Sequence, residues 1–170
     1  MINFENSDDI QLPDVIAIAF KKIHKDYLKV ILMNFSIFFF IVFLAVFLVP
    51  KFGIEIEFYK EYKIYFYVVP FIVFIPILLF LLISFPKRQY VLRERDLSYR
   101  SGILFKTITT VPFSRIQHVE IDERPFSRMF KLASISVFTA GDSSDDIVIK
   151  GIKKINALQI KEYISQQING

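Results

Sequence analysis

Val30–Val49 reads VILMNFSIFFFIVFLAVFLV, 20 residues without a charge, and Ile64–Phe85 reads IYFYVVPFIVFIPILLFLLISF, 22 residues without a charge. A helix rises about 1.5 Å per residue, so roughly 20 residues cross the ~30 Å hydrocarbon core of a bilayer. Each run is long enough alone. The competing reading is a core hairpin of a soluble protein, and the length of both runs argues against it. Val30–Phe85 is therefore read as a transmembrane hairpin.

Working outward, charge decides orientation. Lys21, Lys22, Lys25 and Lys29 precede the first span, and Lys87, Arg88, Arg93, Arg95 and Arg100 follow the second. The link between the spans has Lys51, Lys60 and Lys63 beside Glu55, Glu57 and Glu61. Cations concentrate on the cytoplasmic side, so both termini are expected in the cytoplasm of a plasma or inner membrane. The first run is too long for a signal-peptide core and lacks a small-x-small cleavage site, so a permanent span is expected.

Neither span holds Asp, Glu, Lys, Arg or His. Ion and proton pathways need ionisable groups at depth, so the hairpin reads as an anchor rather than a channel. Asn34, Ser36 and Ser84 are expected to hydrogen-bond between the helices. Pro70 and Pro76 are expected to kink the second span.

Residues 1–29 form an N-terminal arm with four Lys and five acids. Its first 12 residues are polar and read as disordered. From Pro13, the apolar positions Val15, Ile16, Ala19, Phe20, Ile23 and Tyr27 recur at helical spacing, with lysines opposite. An amphipathic helix on the membrane surface is expected.

Residues 86–170 carry 14 basic and nine acidic groups, so this segment holds the basic excess of the chain. Held at a membrane, such a surface faces anionic lipid or solvent, and no nucleic-acid partner is expected. Apolar residues here alternate at period two. Strands are expected at Gln89–Arg95, Leu97–Ser101, Ile103–Val111, Arg115–Glu123, Ser134–Ala140 and Ile147–Lys150. Arg95-Asp96 and Ser101-Gly102 read as tight turns, and Asp142–Asp146 as the last hairpin loop. Asn156 with Gln159 reads as a capping box opening a helix with the stripe Ala157, Ile160, Ile164 and Ile168.

Particular residues in this segment carry a resemblance. Tyr90-Val-Leu, Gly102-Ile-Leu, Val111-Pro-Phe-Ser-Arg-Ile-Gln-His-Val119, Phe126-Ser-Arg-Met-Phe130 and Thr139-Ala-Gly141 together resemble the bacterial pleckstrin-homology-like (PH-like) domain of the YdbS-like membrane proteins. The resemblance implies a small α+β PH-like β-barrel or sandwich, capped by a C-terminal helix and preceded by two transmembrane helices. It implies no catalytic residues. Such proteins usually have Gly where this chain has Lys131.

The candidate contacts follow from position. Lys87, Arg88, Arg93, Arg95 and Arg100 lie just past the second span, with Arg93 and Arg95 on one strand face. They either dock the domain onto anionic headgroups or serve only as the positive flank that topology requires. Arg115 is placed to pair with Glu120 or Asp122, or with an anionic partner. Pro125–Lys131 suits one helical turn plugging the domain, with Phe126, Met129 and Phe130 as core residues or an apolar contact. His118, Glu120 and Asp122 share a strand face, and Asp142, Asp145 and Asp146 a loop. Both sets fall short of a metal site. There is no Cys, and no nucleophile elbow or phosphate loop appears.

No cofactor, metal or enzymatic activity is expected. The expected function is a membrane-anchored scaffold or protein-interaction module, the protein partner being unidentified and self-association open. Binding of anionic headgroups is the alternative.

Overall fold

α1 runs Asp26–Leu48 and α2 runs Glu57–Ser84, 23 and 28 residues, each long enough to span. The computed structural model describes residues 19–48, 57–141 and 146–169. The segment expected to be disordered, the expected Pro13 helix start and most of the Asp142–Asp146 loop lie outside these. Phe38, Phe40, Ile72 and Ile75 of the two helices are exposed. An apolar surface this continuous suits lipid rather than water.

Aromatic rings hold the seam between α1 and α2. Phe39 meets Phe74 edge-on at 4.9 Å and Phe71 at 5.3 Å, and Phe43 meets Phe71 at 6.0 Å. Spacing of four residues along α1 stacks these rings on one face. Edge-on pairs contribute about 0.5–1.5 kcal/mol each beyond burial. The expected Asn34 bridge is not made. Its side-chain amide donates to the Val30 carbonyl of its own helix at 2.8 Å, because an acceptor one turn back is always within reach. Both prolines lie inside α2, whose backbone departs from helical geometry at Tyr62 (φ −107°, ψ 20°).

Past α2, a short 3-10 turn at Phe85–Lys87 leads into the sheets. The strands are β2 (Gln89–Leu92), β3 (Asp96–Ser101), β4 (Thr107–Pro112), β5 (Ile116–Asp122), β6 (Leu132–Thr139) and β7 (Ile147–Lys153). The helical turn α3 (Pro125–Met129) follows β5, as its Pro start and aromatic spacing predict. All six expected strands are present, with shifted ends. The first turn is Arg93–Arg95, closed by the Arg93 amide donating to the Asp96 carbonyl at 2.9 Å. The segment expected to open β4 at Ile103 is a loop, and β4 begins at Thr107.

α4 (Lys154–Asn169) starts two residues before the expected cap, so Asn156 lies in its first turn. The Lys154 amide donates to the Lys131 carbonyl at 3.0 Å, which anchors the start by tertiary contact rather than by a side-chain cap. Ala157, Ile160 and Ile164 are buried and pack with Ile116, Val119, Ile135, Val137 and Ile149 in one core, whereas Ile168, expected on the same stripe, is exposed in the last turn. Tyr163 meets Phe113 edge-on at 6.0 Å.

The largest departure from expectation is the arm. Lys21–Lys22 is a strand, β1, not part of a surface helix. It pairs antiparallel with β2, Lys21 opposite Tyr90 and Lys22 opposite Gln89. The sheets are ordered β1-β2-β3-β4 and β5-β6-β7. The arm, the hairpin and the domain are thus one interleaved structure, with the hairpin inserted between two neighbouring strands. Two contacts explain why helix spacing lost. Ile23 is buried, and its amide donates to the Arg88 carbonyl at 3.4 Å. The His24 amide donates to the Gly151 carbonyl at 3.0 Å. Gly151 has φ +83°, and a Cβ there would collide with the Tyr27 and Ile23 side chains. Glycine lets the arm lie directly on β7.

Candidate membrane-facing site

The sheet has two ends, and its register sorts the candidate cations between them. Gln89 pairs with Arg100, and Leu92 pairs with Leu97. The end near Gln89 is where α2 delivers the chain. The end near Leu92 is three strand residues away, about 10 Å.

At the near end lie Lys87, Arg88 and Arg100. Lys87 is exposed and Arg88 half-buried. The Arg100 guanidinium stands 5.8 Å from the centre of the Phe20 ring, a cation–π distance. β1 adds Lys21 and Lys22, both exposed, to the same end. At the far end lie Arg93 and Arg95, in the turn rather than on a strand face. Arg93 Nη1 is 3.5 Å from Asp96 Oδ2. The Arg95 carbonyl accepts from the Phe113 amide at 2.9 Å. The five cations expected as one cluster are therefore two groups.

Arg115 belongs with the far group, since Asp96 pairs with Pro112 just before it. It is exposed, and the expected ion pairs are not made. Glu120 lies 3.5 Å from His118 Nε2 instead, and Asp122 accepts from the Ser136 hydroxyl at 3.5 Å. A register shift between Ile116 and His118 turns the histidine onto Phe138, stacked at 4.4 Å. Among the described residues no three metal-ligating groups converge.

The Phe126–Phe130 turn divides as well. Phe126 and Phe130 are half-buried, and Met129 is 68% exposed. Lys29 of α1 stands 5.7 Å from the Phe130 ring centre. The base of α1 thus takes up most of this apolar surface. Beside it is a cleft lined by His24, Asp26, Phe130, Lys131, Lys153 and Lys154.

Between the two ends, Tyr90 and Tyr99 face each other across β2 and β3. Burial pushes both phenols above their ordinary pKa. The Arg88 charge partly opposes this at Tyr99, and Tyr27 adds to it.

One feature of the near end escaped sequence reasoning. The loop Gly102–Lys106 exposes Leu104 at 84% and Phe105 at 87%, with Ile108 at 55% just beyond. Gly102 has φ +105°, and a Cβ there would sit on the Phe105 carbonyl. The apolar run Ile103-Leu-Phe directly after Ser101-Gly102 was the available signal. Alternation had absorbed it into a strand.

Comparison with known proteins points to one family. The pattern of the bacterial PH domain matches residues 36–168. The transmembrane protein YdbS of Bacillus subtilis (strain 168) is 33% identical over 52 residues, 31% of this chain and 33% of that protein. The chain thus matches about a third of that relative's length. A DUF1696 family protein with a pleckstrin-homology domain from Shewanella loihica PV-4 is 18% identical, with TM-score 0.38, covering 48% of this chain and 70% of that one. The Lys21–Tyr27 contacts lie outside the matched range.

Proposed function

Because this chain belongs to the bacterial PH domain family, we propose that it is a non-catalytic scaffold, which holds its PH-like domain at the cytoplasmic face of the membrane for a protein partner. The observation that carries this reading is the docking of Ile23, His24 and Tyr27 over Gly151. It ties both helices to the domain, so the domain has a fixed attitude to the hairpin. Preorganisation of this kind lowers the ordering cost of binding at a surface. The contact surface in this reading is β4. Among the described residues it has a strand neighbour on one side alone, which suits addition of a partner strand.

Two experiments test this reading. A photo-crosslinking residue at Thr109 of β4, in native membranes, is expected to capture a discrete second protein. Absence of such an adduct overturns the proposed contact. For orientation, the natural lack of cysteine makes single substitutions clean. Glu55→Cys is expected to react with an impermeant maleimide from outside intact cells, and Glu94→Cys only after lysis. The reverse pattern overturns the cytoplasmic placement.

A second reading, anionic headgroup binding, is supported by the convergence of Lys21, Lys22, Lys87, Arg88 and Arg100 at the near end. In this reading the full chain in nanodiscs retains phosphatidylglycerol, and Arg88→Ala/Arg100→Ala loses it while Arg93→Ala/Arg95→Ala does not. Equal retention by both double variants removes it.

A further inference from the structure

We infer that the Gly102–Lys106 loop inserts its Leu104–Phe105 tip into the interfacial layer of the same bilayer that the hairpin spans, giving the domain a third point of attachment.

The argument starts from register. Ser101 pairs with Thr107, closing the strands, and Arg100 pairs with Gln89. Arg88 is therefore level with Ser101, and the loop continues past it toward the level of Phe85 and the end of α2. Each strand residue advances about 3.3 Å, so the tip lies where α2 leaves the hydrocarbon. Leu104 and Phe105 are among the most exposed large apolar side chains described, at 84% and 87%. In water such a pair is unfavourable, and none of the described residues covers it.

The occupant follows from the setting. Lys106 on the loop and Lys87, Arg88 and Arg100 beside it put cations around an apolar tip. That order, apolar outermost and basic behind, matches acyl chains behind anionic headgroups. The loop shape is built in, because Gly102 at φ +105° lets the Phe105 carbonyl close over it. This surface is distinct from β4, and the inference stands whether or not a protein partner binds there.

The chain contains no Trp, so one added indole reports alone. The full chain carrying Phe105→Trp is reconstituted in vesicles of phosphatidylcholine and phosphatidylglycerol. Its emission is expected to shift to the blue, to be quenched strongly by lipid brominated on the acyl chains, and to resist aqueous acrylamide. Glu94→Trp, in the far turn, is expected to behave oppositely. Leu104→Trp serves as a second probe should Phe105→Trp misfold. If bromolipid quenches the loop probes no more than Glu94→Trp, the inference is overturned. Shielding from both quenchers also overturns it, and would assign the loop to contact with a second copy of the chain.

Discussion

The two ends of the β2–β3 ribbon differ in what they answer to. The far turn, Arg93–Arg95, is charged, exposed and locally satisfied, with one ion pair to Asp96. Its identity depends on neighbours within a few residues. The near end is assembled from distant pieces: the arm at Lys21–Lys22, the helix exit at Lys87–Arg88, Arg100 and the apolar loop. Both ends are basic. Only the near one combines charge with apolar surface and with backbone from before the hairpin. Cations close in sequence are not one site unless the fold brings their elements to the same place.

That contrast can be broken by substitution. Gly151→Ala attacks the arm's seat, adding a methyl against Tyr27 and Ile23 at positive φ. Overpacking and the left-handed backbone together predict a loss of about 2–4 kcal/mol, with the arm released. Thermal unfolding in detergent, with protease sensitivity at Lys21–Lys25, reads both effects. An unchanged melting temperature would show that the arm does not bear on Gly151. Lys131 lies away from both ends at φ +55°. Lys131→Gly is expected to stabilise the domain by up to about 1 kcal/mol, as relief of left-handed strain outweighs the added chain entropy.

At the far end, Arg93→Ala is expected to cost no more than about 1 kcal/mol, since an exposed pair is screened by water and salt. Chemical denaturation of the two variants side by side makes the comparison quantitative. A final change needs no mutation. Tyr90 and Tyr99 have folded pKa values raised above the ordinary 10.0. Their protonated forms are favoured in the fold, so the associated stability is complete below pH 10 and lost as pH rises through the folded values. Melting temperature is expected to hold to about pH 9 and fall above pH 10, less steeply in Tyr90→Phe.

Much of this was legible in the residues. Charge-free length predicts both helices, and alternation predicts six strands. Ala157, Ile160 and Ile164 predict the buried face of α4. Lys131 stands in the left-handed region at φ +55°, the conformation glycine adopts most readily. What failed has one cause, tertiary contact overriding a local pattern. Phe20, Ile23 and Tyr27 have helical spacing, yet β2 and Gly151 offered the arm backbone partners that no window of sequence contains. The same applies to Arg93 and Arg95, whose strand parity was correct for a strand that ends at Leu92. The seam of α1 and α2 was missed because hydrogen bonds from Asn34, Ser36 and Ser84 were expected where Phe39 and Phe43 supply rings.

The insertion of the hairpin between β1 and β2 has a consequence for the order of assembly. Lys21 must meet Tyr90, 69 residues later in the chain. At about 5–20 residues per second, the arm leaves the ribosome roughly 3–14 s before its partner strand exists. In free solution, joining ends so far apart carries a closure entropy that grows with the logarithm of the loop. Here two packed helices return the chain to where it left. Membrane insertion therefore performs the loop closure, and the last strand of the sheet is zipped only once the span pair is in place.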